Sequence, residues 1–124
     1  MGCEVVPVVP VRDVDAAVAW FTGVLGFTED FRWNAYAGVT FGGARLHLNG
    51  FAGHDDRIGK SQAYFFVPDV DAVFARAVAA GAAIDHTLGD QEYGMRDFSV
   101  RDPDGNRFTF GTETASEGDA EQAP

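Results

Sequence analysis

The chain has 124 residues, 46% hydrophobic and 23% charged, with a formal net charge of −10. That is enough length for one domain with one sizeable core, in an ordinary globular composition. The acidity excludes nucleic acid and an anionic membrane surface as partners. The lone cysteine, Cys3, excludes an internal disulfide.

No apolar run approaches the ~20 residues needed to cross a bilayer. The N-terminus lacks a basic start and long apolar core, so the expected location is the cytoplasm. Glu4–Val11 is rich in valine and reads as a strand; Pro7 and Pro10 lack N–H donors and place it at a sheet edge. Asp13 is placed to cap a helix, and Val14, Ala17, Val18, Phe21 and Leu25 form its apolar stripe. Gly26 ends that helix. Phe27–Trp33 and Ala35–Phe41 read as strands, Gly42-Gly43 as a hairpin turn, and Ala44–Asn49 as a third strand. On that strand Arg45, His47 and Asn49 share one face, and Leu46 and Leu48 the other. Gly50–Ser61 is a polar linker, with His54, Asp55 and Asp56 as a solvated turn.

The pattern then restarts. Gln62–Val67 reads as a strand, and Asp69 caps a helix whose stripe is Val70, Val73, Phe74, Ala77 and Val78, ended by Gly81. Ile84–Leu88 reads as a short strand, with His86 at the surface. Met95–Val100 and Asn106–Gly111 flank an Asp-Pro-Asp-Gly turn, where Pro103 presets φ and Gly105 tolerates φ > 0. Val11–Ala16 matches Val67–Ala72, and Gly43–Leu48 matches Gly105–Phe110. The chain therefore reads as α+β: two βαβββ modules, about 4–50 and 62–111, in a single domain spanning 1–111. Their strands join into a cupped mixed sheet with the helices outside. Residues 112–124 read as a disordered acidic tail.

These features resemble a known group. The two modules, the stretch carrying Asp13, Asp15, Leu25, Gly26 and Phe27, and the Asp102–Asn106 turn are similar to the vicinal-oxygen-chelate superfamily. That superfamily includes glyoxalase I, extradiol dioxygenases and bleomycin-binding resistance proteins. The last are most similar, through Val6-Pro7-Val8, Asp30-Phe31, Ala37-Gly38-Val39 and the run Gln91–Phe98. Metal-using members hold their ion at four positions, which the resemblance places at Val6, His47, Gln62 and Thr109. Valine cannot ligate, threonine is a poor neutral ligand, and two neutral ligands do not make a divalent site. The resemblance thus implies no metal, no cofactor and no catalytic residue, and leans against an enzyme.

It implies a ligand cleft instead. Gln62 brings Tyr64 and Phe66 to its face, while Ala63, Phe65 and Val67 face the helices. Thr109 brings Arg107, and His47 brings Asn49. Phe31, Trp33 and Tyr36 supply aromatic walls. Tyr93-Gly94 stands where relatives have a tryptophan-glycine pair near the drug. Such rings suit a planar guest. Asp55 and Asp56 would add negative charge at the mouth. The implied function is metal-free sequestration of a bleomycin-family antibiotic, planar and cationic, by a homodimer whose N-terminal strand swaps at Pro7. The alternatives are a metal-dependent lyase or dioxygenase, and a binder of another planar small molecule.

Overall fold

The computed structural model describes residues 1–114. The elements run β1 (Val8–Pro10), α1 (Val14–Val24), β2 (Thr28–Trp33), β3 (Tyr36–Phe41), β4 (Ala44–Asn49), β5 (Gln62–Phe66), α2 (Val70–Ala79), β6 (Ala83–Asp90), β7 (Met95–Arg101) and β8 (Arg107–Glu113). The expected α+β pair of βαβββ modules is present. The strands divide into two four-stranded sheets, β1-β4-β3-β2 and β5-β8-β7-β6. Each sheet has one parallel pair, β1 with β4 and β5 with β8, and is otherwise antiparallel. Among the described residues the two modules form two separate four-stranded sheets, without the expected edge-to-edge join into one.

Local chemistry sets both helices. Asp13 accepts hydrogen bonds from the N–H groups of Asp15 and Ala16, and Asp69 accepts from Ala72 N–H. Each satisfies donors that the first turn leaves orphaned. Gly26, at φ +80°, turns the chain out of α1 against the Arg76 side chain. Arg76 also donates to Thr22 O at 3.3 Å, tying the second module's helix to the first.

The helix-facing sides of the sheets share one core. Phe21 of α1 meets Phe108 of β8 at 5.2 Å between ring centroids, and Phe27 meets Phe65 at 5.6 Å. Phe65 stacks on Phe110 at 4.8 Å. The predicted alternation holds: Leu46, Leu48, Phe65 and Val67 are buried. One core of this size is where most of the folding free energy lies.

Three boundaries move. β1 is shorter than Glu4–Val11, because prolines 7 and 10 donate nothing; its ladder ends at Pro7 O, which accepts His47 N–H, and at Val11 N–H, which donates to Asn49 O. In this chain β1 pairs with its own β4. β6 is longer than Ile84–Leu88 and bulges between Ile84 and Gly89. β8 continues through Thr112 and Glu113, where the acidic tail was expected to begin. The Thr112 hydroxyl donates to Val67 O and accepts Val70 N–H, so this polar residue ends the strand inside the fold. The rest of the tail, 115–124, lies outside the described residues. Among those described, no helix is long and apolar enough to cross a membrane.

The Asp-Pro-Asp-Gly turn is a structural knot. Asp102 accepts from Asp104 N–H, Asn106 N–H and Asn106 Nδ2. Fully buried Asn106 accepts Ser61 N–H through Oδ1, which pins the end of the linker to the hairpin. Burial raises the Asp102 pKa above the usual carboxylate value, with the Asn106 hydrogen bonds opposing it. Gly59, at φ +83°, packs against Asp104 O so closely that a Cβ would overlap it.

Candidate functional site

The predicted site residues fall on two separate sheets and form two half-sites. On the first sheet Phe31, Tyr36 and His47 come together. The Phe31 ring lies across Gly38, where an added Cβ would overlap it. It stacks on Tyr36 at 6.2 Å and 25°. The His47 ring stands edge-on to both, at 5.2 Å from Phe31 and 5.3 Å from Tyr36. Its Nδ1 lies 2.9 Å from the Tyr36 hydroxyl. This half-site is an aromatic cluster around one hydrogen-bonding histidine. Asn49 turns instead toward His54, at 3.0 Å, and Trp33 packs on Phe51 at 5.9 Å. Asp55 and Asp56 sit on an exposed 3-10 turn of the linker.

The second sheet carries a cavity of about 420 Å³ lined by Tyr64, His86, Gln91, Tyr93, Asp97, Ser99, Arg107 and Thr109. Asp97 organises its floor. Its side chain is 1% exposed, and Oδ2 accepts the Tyr64 hydroxyl at 2.8 Å and the Tyr93 hydroxyl at 2.7 Å. Oδ1 is buried without a partner. Both phenols are pushed above the ordinary tyrosine value: Tyr64 first by burial and then by the Asp97 hydrogen bond, Tyr93 first by that hydrogen bond. Ionising either would place a second negative charge against the carboxylate. Both tyrosines therefore stay neutral donors at physiological pH, with their rings fixed as walls.

Gly111 makes this geometry possible. It faces Asp97 across the β7–β8 ladder. A Cβ there would overlap the Tyr64 hydroxyl and lie 2.9 Å from Met95 Cε. Gly94, at φ +86°, closes the turn that carries Tyr93, and its carbonyl accepts Thr114 N–H. Thr109 is engaged by Ser99, with their hydroxyl oxygens 2.7 Å apart.

Two predicted residues lie elsewhere. Gln62 lines a polar cavity of about 320 Å³ beside Lys60, Ser61, Arg101 and Arg107. Phe66, 69% exposed, packs beside Tyr64 at 5.1 Å and lines a groove of about 430 Å³ against Phe41–Ala44. The sequence reading missed Asp97, Ser99, Gln91 and His86. Alternation on β7 was the available signal: Asp97 and Ser99 interrupt a run whose other members, Phe98 and Val100, are core. His86, read as a plain surface residue, reaches the cavity because β6 bulges on either side of it.

Within one chain the positions assigned to a metal lie on two different sheets. His47 is on the first sheet, and Gln62 and Thr109 are on the second. Val8, rather than Val6, faces His47 in register. Among the described residues no group of three His, Cys, Asp or Glu side chains is placed to hold an ion. The donors present do not fit a divalent metal.

Comparison with known proteins bears on this geometry. The chain matches the family model described as Glyoxalase/Bleomycin resistance protein/Dioxygenase superfamily over residues 5–110. It is similar to the crystal structure of TioX from Micromonospora sp. ML1, at 30% identity and a TM-score of 0.79, covering 90% of this chain and 99% of that one. It is similar to the bleomycin-binding protein of bleomycin-producing Streptomyces verticillus, solved with copper(II)-bleomycin, at 31% identity and a TM-score of 0.72, covering 89% and 95%. A glyoxalase/bleomycin resistance protein from Catenulispora acidiphila shares 26% identity with a TM-score of 0.74, covering 90% and 98%. No match is found among curated proteins.

Proposed function

The chain belongs to the glyoxalase/bleomycin resistance protein/dioxygenase superfamily, and from that premise we propose that it captures a planar, bleomycin-like natural product without chemically altering it. The observation that supports this most is the second half-site. Its cavity is walled by tyrosine rings and floored by a carboxylate that accepts a hydrogen bond from each of their hydroxyls. Among the described residues the Ser99 hydroxyl faces Thr109, not a base. The rings offer offset stacking worth roughly 0.5–1.5 kcal/mol per pair beyond area burial.

We propose further that the working unit is a homodimer. Each chain carries two aromatic half-sites on separate sheets, with Phe31, Trp33, Tyr64, Phe66 and Tyr93 all exposed. A twofold pair would set one chain's first half-site against its partner's second, giving two clefts. The N-terminal strand, whose short ladder on its own β4 is limited by Pro7 and Pro10, would exchange that ladder for the partner's β4. The net charge of −10 draws a cationic tail toward such clefts.

Isothermal calorimetry with bleomycin, with and without copper, tests capture. The expected result is one drug per chain with no turnover product. Absence of heat at high micromolar drug would leave a different planar ligand. Metal analysis of the purified protein tests the lyase or dioxygenase alternative; a tightly held equivalent of divalent ion would favour it.

A further inference from the structure

The polar cavity beside the second half-site concentrates positive charge in an acidic protein. Lys60, Arg101 and Arg107 line it, together with Gly59, Ser61 and Gln62. Arg107 also lines the tyrosine cavity, so one guanidinium spans the boundary between the two. Asp85 is the acid that engages both arginines. It receives Arg107 Nε at 3.0 Å and approaches Arg101 Nε at 3.3 Å. Both contacts use the Nε edge. The terminal nitrogens of Arg107 have no acceptor among the described residues, and Lys60 has no ion-pair partner among them either.

The other nearby acids are committed. Asp104 pairs with Arg12 at 2.9 Å, and Asp102 is buried beneath the turn accepting its three hydrogen bonds. Three cations against one acid leave a local excess of positive charge. The segment that presents Lys60 is also fixed, because Gly59 is packed against Asp104 O and Ser61 N–H is held by Asn106. The overall charge of −10 opposes an anion at long range, but salt screens that beyond about 8 Å at physiological strength.

We propose that this cavity is an anion subsite, which receives an acidic substituent, a carboxylate or phenolate, of the planar ligand stacked in the tyrosine cavity. Arg107 is the hinge of recognition: its planar fork matches a carboxylate in two-point geometry. The inference rests on the reading of the tyrosine cavity as an aromatic-ligand site and narrows the ligand to one that is acidic at the ring. With a cationic tail as well, such a ligand is amphoteric.

Paired probes separate the two ideas. 2-Naphthoate and 2-naphthamide share a ring and differ in charge. Binding is read by nuclear magnetic resonance titration of the whole protein. The acid should bind about tenfold tighter than the amide, a preference that falls several-fold in 0.5 M salt. In Arg107→Gln the acid-to-amide ratio should drop toward one, and in Lys60→Gln combined with Arg101→Gln it should fall several-fold. Lys60→Gln alone, which breaks no side-chain hydrogen bond or ion pair among the described residues, should lower it part way and guards against a folding defect in the double variant. Equal binding of both probes by the unaltered protein would overturn the anion subsite and leave aromatic capture standing. No binding of either would overturn both.

Discussion

Replacing Gly111 with alanine should destabilise this protein more while Tyr64 carries its hydroxyl than without it. In a strand, glycine-to-alanine normally stabilises by about 0.5–1 kcal/mol, because glycine loses more freedom on folding. Here the new methyl would overlap the Tyr64 hydroxyl, sit 3.0 Å from Tyr64 Cζ and 2.9 Å from Met95 Cε. The phenol must move, and its 2.8 Å hydrogen bond to buried Asp97 is lost. A hydrogen bond to a charged group contributes about 1.5–3 kcal/mol, and the lower end applies because Tyr64 is 40% exposed. Set against the alanine gain, Gly111→Ala should cost about 1 kcal/mol in the unaltered protein. In Tyr64→Phe the overlap with the hydroxyl is gone, only the flexible Met95 Cε and the ring edge must still give, and the same change should cost about 1 kcal/mol less than in the unaltered protein. Urea denaturation of the four proteins gives the coupling directly, expected near 1 kcal/mol. Additivity within about 0.3 kcal/mol would refute the account, since the clash and the hydrogen bond would then be unrelated.

Tyr64 and Tyr93 both have folded pKa values raised above the unfolded value near 10. Their contribution to stability is complete below pH 10 and is lost as pH climbs through the folded values. Absorbance at 295 nm should show two tyrosines ionising late, and Tyr64→Phe or Tyr93→Phe should flatten the loss of stability above pH 10; simple titration of every tyrosine near 10 would contradict this. Asn106→Ala should cost about 2–4 kcal/mol, since it strips a partner from buried Asp102 and frees Ser61 N–H. The Asp102 pKa should rise further in that variant, readable by carboxyl carbon resonances. Under the proposed function, Tyr93→Ala and Phe66→Ala should weaken drug binding and leave the association state unchanged by ultracentrifugation. Unchanged affinity in both would mean that the cleft lies elsewhere.

The repeat of Val11–Ala16 at Val67–Ala72, the two aspartate caps and the alternation of Leu46, Leu48 and Phe65 are local patterns. Each is set by backbone hydrogen bonding and period within a few residues, so the sequence alone determined two βαβββ modules and which strand face is core. Asp97 stood out in the alternation of β7, but its partners were illegible for the opposite reason. Its partners lie 33 residues before it on β5 and four before it in a turn, and only the parallel β5–β8 pairing beside β7 brings Tyr64 within reach. The division into two sheets was likewise decided in three dimensions. Phe21, Phe27 and Phe41 of the first module bury their rings against Phe108 and Phe110 of the second. That packing joins the modules through their helix-side faces rather than their strand edges, and it leaves each aromatic face pointing outward.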